Sequence, residues 1–523
     1  MIPAPLAPPH VASETEAWRP RFHYTPSQHW MNDPNGLCFF DGEYHLYYQY
    51  NPVGIDWGHI SWGHAVSTDL ATWQELPVAI ADTDRSMAFS GSVVVDHHNT
   101  GGFAPEGAVV GTEAPALVAF FTGFDPVTKI QSQHLAYSLD RGRSYTRYAG
   151  NPVIDIGSTE FRDPKVFWYA PTQRWVMLVV AALQQEVWFY ASTDLRHWDK
   201  VSTFGPAGSA AGNIWEVPEL FELPIDGDAS RRRWVLIVSV NHGSLWGGSG
   251  VQYFVGDFDG ERFAADPSEP ANPAPGSNAL PAIANITLWA DHGRDFYAPI
   301  TFANLPDERV LWLGWVSNWD YARALPTAAW RGQQSGVRQL DLAATPRGTR
   351  LRQRMADEML ALVEPEACIT LRALAATRAA ATLAVANVNE RQCLARLSVL
   401  ASSIKTPVGF ELFKGKAEAV KVGFDPQQNT FFIDRRTASP KFAGQSERHD
   451  AERLLDAKEI TFEAWVDGSV LEVFFDGGTV VLTDLIYADP LSNGLGLFHG
   501  AEDPQVERLD VHAVRSTMKA LTR

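Results

Sequence analysis

Between about Phe22 and about Leu340, short apolar stretches alternate with clusters of Gly, Asp, Asn and Pro. Glu43 to Tyr50, Ala116 to Thr122, Trp175 to Ala181, Trp234 to Val240 and Val310 to Trp315 are rich in aromatic and β-branched residues and have the length of strands. Helical periodicity is scarce, so the region reads as all-β. A faint repeat refines that reading. Ser67-Thr68-Asp69-Leu70 leads to Trp73, and Ser192-Thr193-Asp194-Leu195 leads to Trp198 at the same offset; between them Ser138-Leu139-Asp140 leads to Tyr145. Strands that end in S-x-D, turn and then meet an aromatic, at blade-like intervals, predict a β-propeller. Ordinary hairpin chemistry also yields recurrent turn residues and is the competing explanation.

Further along, Ala265 to Pro281 is rich in Pro, Ala and Asn and reads as a surface loop. The pattern turns helical over Gln353 to Leu362, where Met355, Met359 and Leu362 are spaced for one face, as suits a linker. Ile460 to Trp465, Val470 to Phe475 and Thr479 to Ile486 then alternate like strands about an Asp476-Gly477 turn, which predicts a β-sandwich. The Ala-rich stretch Leu371 to Val388 has helix propensity that conflicts with a pure sandwich, and propensity alone leaves that conflict open.

At 523 residues the chain exceeds one ordinary hydrophobic core, so two domains are expected. A net charge of −18 argues against a nucleic-acid partner, which requires a basic surface, and does nothing to repel a neutral sugar. Cys38, Cys368 and Cys393 lie far apart, in neither a disulfide framework nor a metal-binding spacing, and read as idle or buried thiols. No apolar run approaches membrane-spanning length. Met1 to Pro20 has neither a basic n-region nor an apolar h-region, which favours the cytoplasm; a trimmed mature form of a secreted protein would read the same way.

Three carboxylates stand out by their surroundings. Asp-Pro alone means little, because it recurs as a turn former at Asp125, Asp266, Asp425, Asp489 and Asp503. In His29-Trp30-Met31-Asn32-Asp33-Pro34-Asn35-Gly36 a tight turn is expected straight after an aromatic segment, which would present Asp33 at a strand end; a hairpin turn whose Asp merely caps the backbone is the competing reading. In Glu160-Phe161-Arg162-Asp163-Pro164-Lys165, Arg162 is placed to orient Asp163 by bidentate hydrogen bonds; a structural salt bridge explains the pair equally well. In Trp215-Glu216-Val217-Pro218-Glu219, apolar neighbours would raise the proton affinity of Glu216, while Glu219 reads as a solvent-facing competitor. A propeller gathers inner-strand ends about one axis, and several convergent acids are what glycoside cleavage needs.

These segments resemble glycoside hydrolase family 32, the invertases, levanases and exo-inulinases. The resemblance is carried by W-M-N-D-P-N-G (Trp30 to Gly36), Y-Q-Y-N-P (Tyr48 to Pro52), F-S-G-S (Phe89 to Ser92), F-R-D-P (Phe161 to Pro164), W-E-V-P (Trp215 to Pro218), D-F-Y-A (Asp295 to Ala298) and G-W-V-S-N-W (Gly314 to Trp319), with V-D-G-S-V-L-E-V-F (Val466 to Phe474) further on. It implies an all-β chain with a five-bladed β-propeller catalytic domain over 1–352, a short linker over 353–363 and a C-terminal β-sandwich over 364–523. It implies Asp33 as nucleophile, Glu216 as general acid/base and Asp163 as stabiliser of the transition state. Asn32, Gln49, Trp57, Phe89, Ser90, Arg162, Tyr297 and Trp315 would line the fructosyl pocket. No metal or organic cofactor is implied. A retaining mechanism needs nucleophile and acid about 5–5.5 Å apart. On these grounds Asp33, amid polar neighbours, is expected to stay ionised while Glu216 holds its proton.

The expected activity is exo-hydrolysis of terminal fructofuranosyl units of sucrose, fructo-oligosaccharides or fructans, with no nucleic-acid or membrane partner; a homo-oligomer is compatible with the sequence. Fructosyl transfer to a sugar acceptor would use the same residues, and a catalytically silent sugar-binding relative is the alternative of another class. Val217 stands where the family usually has Cys after the acid, so an altered pH dependence is expected. Trp246, in the loop Asn241 to Gly250, is a candidate platform for bound sugar.

Overall fold

The computed structural model describes residues 14–104, 115–208, 213–268, 287–386, 391–438 and 447–518. Five antiparallel blades follow one another along the first part of the chain. The first comprises His29–Phe40, Glu43–Asn51, Ser61–Ser67 and Gln74–Ile80, and the second Met87–Asp96, Ala116–Phe124, Gln131–Ser138 and Thr146–Arg147. The third holds Phe161–Tyr169, Arg174–Ala181, Glu186–Ser192 and Asp199–Phe204. The fourth is Trp215–Ile225, Asp228–Val240, Gly250–Phe258 and Phe263–Ala265. The fifth is Tyr297–Thr301, Val310–Trp315, Arg338–Thr345 and Gly348–Met355, with one parallel bridge, Ile225 to Leu342, joining it to the fourth. The first strand of each blade touches the first strand of the next, and the fifth touches the first, so the ring closes. This is a five-bladed propeller.

The S-x-D repeat is the turn between the third and fourth strands of the first three blades. Ser67 Oγ donates to Asp69 Oδ1 (2.9 Å), and the same carboxylate accepts the N–H groups of Ala71 and Thr72. Asp194 caps Arg196 and His197 in the same way. Asp140 accepts from Ser138 and from the Ser144 N–H. The fourth blade keeps the device as Asp259, which caps Glu261 and Arg262. Of the remaining Asp-Pro aspartates, Asp125, Asp266, Asp425 and Asp489 are turn formers that accept the N–H two residues on, whereas Asp503 accepts the Thr377 N–H at the start of a distant helix.

Beyond the propeller, a six-stranded sheet faces a five-stranded one. Phe410, Phe424, Phe431, Phe462 and Phe475 fill the space between them, as the two inner faces of a sandwich require. The strand Glu459–Asp467 is buried on both sides: Phe462, Ala464 and Val466 face the sandwich core, while Trp465 joins the propeller residues Trp30, Met31 and Met355. The helical expectation for Gln353 to Leu362 needs correction. Its first residues finish the last propeller strand, and the helix itself is Asp357–Leu360; Met355, Met359 and Leu362 nevertheless share one buried cluster. The Ala-rich conflict resolves as both structures in succession, a strand Ile369–Ala375 and then a helix Ala376–Ala386 that buries Ala376, Ala379 and Leu383. Of the loop expected over Ala265 to Pro281, the part from 269 onward lies outside the described residues, as does most of Met1 to Pro20.

Buried charges clasp the two domains. Asp467 accepts the N–H groups of Arg21, Phe22 and His23 at 2.6–2.9 Å, and the His23 ring bridges Asp467 (2.8 Å) and Glu472 (2.7 Å). Arg338 of the fifth blade pairs with Glu472 and with Asp291. Asp295 accepts the Leu485 N–H at 2.7 Å and pairs with Arg435 at 3.2 Å. All of these side chains are out of contact with solvent.

Candidate active site

The first strand of every blade breaks register at the same place, close to its start. Two residues bulge against one on the neighbouring strand: Asn32-Asp33 against Gln49, Phe89-Ser90 against Thr122, Asp163-Pro164 against Val179, Val217-Pro218 against Val238 and Ala298-Pro299 against Gly314. A bulge re-aims side chains and frees backbone groups from the ladder. Side chains from the neighbouring blade take up those groups. Gln49 Nε2 donates to the Ala88 carbonyl (3.1 Å), Trp62 Nε1 to the Phe89 carbonyl (2.9 Å) and Gln133 Nε2 to the Phe161 carbonyl (2.8 Å), while Thr122 Oγ1 accepts the Asp163 N–H (2.8 Å). Proline as the second bulged residue in three blades suits a position with no ladder partner. N-D-P-N-G is therefore not the tight turn expected from its composition. It is the bulged start of a twelve-residue strand, His29–Phe40. Gly36 closes it at φ +52°, where a Cβ would meet Val93 Cγ2 at 2.6 Å.

The bulged strand starts of the first four blades open onto a funnel of about 550 Å³. Asn32, Asp33, Gln49, Trp57, Phe89, Ser90, Arg162, Asp163 and Glu216 line it. Tyr297 and Trp315 stand behind that lining: Tyr297 donates its hydroxyl to Glu216 Oε2, and Trp315 packs against Trp30, Tyr297 and Trp319. The wall also includes Phe124, Gln131, Glu160, Asn241, His242, Trp319 and Arg323, which sequence reasoning did not single out. Glu160, Asn241, His242 and Trp319 lay within segments noted in the sequence without being assigned to the site; Phe124, Gln131 and Arg323, on a second strand, a third strand and a 3-10 turn, carried no local signal. Phe89 stacks on Phe124 with centroids 4.8 Å apart, and Trp57 meets Phe89 edge to face. Trp246 is not a platform in this funnel. Its Nε1 donates to the His292 carbonyl (2.8 Å), and its ring lies against His449 of the sandwich.

Asp33 is buried and receives hydrogen bonds from Ser90 Oγ (2.8 Å) and Asn32 Nδ2 (3.2 Å); Trp30 Nε1 in turn fixes Asn32 Oδ1 (2.7 Å). Asp163 Oδ2 accepts the N–H of the bulged Val217 (3.0 Å). Glu216 accepts from Arg162 Nε at 3.2 Å, from Asn241 Nδ2 at 2.9 Å and from Tyr297. The structure corrects the expectations for Asp33, Glu216, Arg162 and Glu219. Burial, and then the negative charge of Glu216, push Asp33 up to about 7 in spite of its two donors. Burial also raises Asp163, with Glu216 adding to the effect and Arg162 opposing it. Glu216 is not in apolar surroundings, because neighbours on a strand point to opposite faces and Trp215 turns into the core behind it. Arg162 makes no bidentate pair with Asp163, from which it lies 3.9 Å, and closes on Glu216 and Glu160 instead. Glu219 is buried rather than solvent-facing, paired with Lys165 at 2.9 Å and accepting from Thr301 Oγ1 at 2.7 Å.

Among the described residues no group of His, Cys, Asp and Glu is arranged to hold a metal ion, and no helix is long and apolar enough to cross a membrane. Comparison with known proteins adds a second line of observation. Residues 23–354 match the family described as glycosyl hydrolases family 32 N-terminal domain, and residues 364–513 match its C-terminal counterpart. A levanase of Bacillus subtilis (strain 168) is 40% identical over 515 residues, 96% of this chain and 71% of that protein. An extracellular exo-inulinase of Meyerozyma guilliermondii is 33% identical over 531 residues, 97% of this chain and 96% of that one. The crystal structure of exo-inulinase from Aspergillus awamori superimposes with a TM-score of 0.87 at 32% identity, covering 96% of this chain and 99% of that one.

Proposed function

The chain belongs to glycosyl hydrolase family 32, and from that premise we propose that Asp33, Asp163 and Glu216 carry out a retaining hydrolysis through a covalent fructosyl-enzyme. The protein is an exo-acting β-fructofuranosidase, a glycoside hydrolase that removes terminal fructofuranosyl units from sugars such as sucrose and fructans. The convergence of three carboxylates, from the inner strands of blades one, three and four, on one funnel carries the mechanistic reading.

In the first step an Asp33 carboxylate oxygen bonds to the anomeric carbon of fructose. The bond from that carbon to the leaving oxygen breaks, and Glu216 gives that oxygen its proton. In the second, Glu216 takes a proton from water, the water oxygen bonds to the same carbon, and Asp33 leaves as a carboxylate. Asp163 faces the positive charge that builds on the ring between these states. Asn32, Gln49, Trp57, Phe89, Ser90 and Arg162 line the sugar's place, with Tyr297 holding Glu216 from behind and Trp315 supporting the aromatic floor. The acid and base chemistry needs no further cofactor.

Hexose release from sucrose, inulin and levan tests the assignment. Asp33→Ala and Glu216→Ala are expected to lose about a thousandfold or more in kcat on sucrose, and wild type to rank the three substrates. Retention of wild-type rates by either variant would overturn the assigned roles, and a folded wild type silent on all three sugars would leave a sugar-binding protein. Cell fractionation decides between the cytoplasmic location expected from the sequence and an extracellular one like that of the named exo-inulinase.

A further inference from the structure

Arg162 is shared between two carboxylates. Its Nε and Nη2 each approach Glu216 Oε1 at 3.2 Å. Its Nη1 donates to Glu160 and, at 3.0 Å, to Gln131 Oε1. A guanidinium in contact with a carboxylate favours the ionised form. That suits Glu216 as a base and opposes it as an acid. Glu160 stands on the other side of the same cation, so its charge offsets the field of Arg162 at Glu216. The placement is built into the backbone: the Glu160 N–H donates to Ser158 Oγ (3.1 Å), and its carbonyl accepts the Ala182 N–H (3.0 Å). The side chain lies on the funnel wall, 30% exposed.

We propose that Glu160 is a positioning residue for the hydrolysis: by pairing with Arg162 it holds that guanidinium between two carboxylates and limits its grip on Glu216 as Glu216 passes a proton to the leaving oxygen. The inference rests on the reading of Glu216 as the general acid. The charged and titratable groups facing Glu216 are Asp33 from blade one, Glu160, Arg162 and Asp163 from blade three and the segment leading into it, His242 beside Asn241 from blade four, Tyr297 from blade five and Arg323 on the rim. All but Glu160 are unchanged in the comparison that tests it.

The experiment is the dependence of kcat/KM for sucrose on pH in wild type, Glu160→Gln and Glu160→Asp. Loss of the negative charge lets Glu216 release its proton earlier, so the alkaline limb of Glu160→Gln moves to lower pH by about half a unit to one unit. Glu160→Asp keeps the charge and restores the limb. Gln131→Glu adds a second carboxylate to Arg162 and moves the limb the other way, a test independent of any change at Glu160. With an aryl β-fructofuranoside whose leaving group departs with little help from an acid, Glu160→Gln loses less rate than on sucrose. An alkaline limb that stays in place in Glu160→Gln, or a raised KM with that limb unmoved, overturns the proposal and leaves Glu160 a sugar contact. Glu216→Ala in the same assay separates the two levels. If it remains active on sucrose the assignment of Glu216 falls, whereas an inactive Glu216→Ala beside an unmoved Glu160→Gln profile removes the Glu160 inference alone.

Discussion

Glu216 shows how far a residue's immediate neighbours can mislead. Trp215 and Val217 flank it in the chain, yet the strand turns Trp215 away and leaves Glu216 among Arg162, Asn241 and Tyr297. Asp33 shows the converse. Its neighbours are polar, but it is buried, and burial with the charge of Glu216 outweighs the hydrogen bonds. As the proposed nucleophile Asp33 attacks in its ionised form, so activity is expected to rise as pH climbs through its raised pKa. Ser90 Oγ favours the ionised form, and its loss raises the pKa further. Ser90→Ala is therefore expected to move the acidic limb of kcat/KM to higher pH by about half a unit to one unit. A limb that stays put in a pH–rate profile would show the hydroxyl to be irrelevant to that ionisation. The three candidate acids were legible because each lies in a distinctive local string; their environments were not, because Ser90 for Asp33, Arg162 and Tyr297 for Glu216 and Val217 for Asp163 come from other blades.

At the scale of the element, one device recurs five times: an inner strand that bulges near its start and then re-enters the ladder. The sequence shows it only obliquely, as a proline in or just after the bulge in four blades, since residues that satisfy the bulges of blades two and three are supplied by the adjacent blade. The S-x-D turns were visible because their hydrogen bonds are local, donor and acceptor lying within a few residues. In F-S-G-S the glycine has a steric reason. A Cβ on Gly91 would lie 1.9 Å from the Phe120 carbonyl oxygen, so the bulge that aims Ser90 at Asp33 requires its absence. Gly91→Ala is expected to cost about 1–3 kcal/mol and to lower kcat through Ser90. A thermal melt and a sucrose assay check both, and a wild-type melting temperature would rule out the close approach.

Across the whole molecule, the acidic residues of two motif strings serve the seam between domains rather than the sugar. Asp295 of D-F-Y-A and Asp467 and Glu472 of V-D-G-S-V-L-E-V-F tie the propeller, the N-terminal segment and the sandwich together. Burial by itself would depress the imidazole of His23, but hydrogen bonds and charge from Asp467 and Glu472 overcome it and raise the pKa from 6.5 to about 9. A group raised on folding stabilises fully below its unfolded pKa and loses that contribution as pH rises through the folded one. His23→Gln is expected to cost about 3–5 kcal/mol below pH 6.5, and the gap in melting temperature to wild type should close as pH rises to about 9. A gap constant across that range would place the stabilisation in packing instead of charge.

The sequence by itself determined most of the strands, the S-x-D turns and the three candidate acids, because strand length, turn chemistry and ordered motifs are local properties of the chain. It also carried the all-β class and the family. Only the tertiary structure decided which side of the strand Glu216 faces, that N-D-P-N-G is a bulge, that Glu219 is buried against Lys165 and that Trp246 belongs to the domain seam. Each of those outcomes depends on partners far away in sequence. Asp33 meets Ser90, Glu216 meets Arg162 and Tyr297, and His23 meets Glu472 only when the ring has closed and the sandwich has docked. The burial that then reshapes their charges is a property of the assembled fold, which no local stretch of residues can encode.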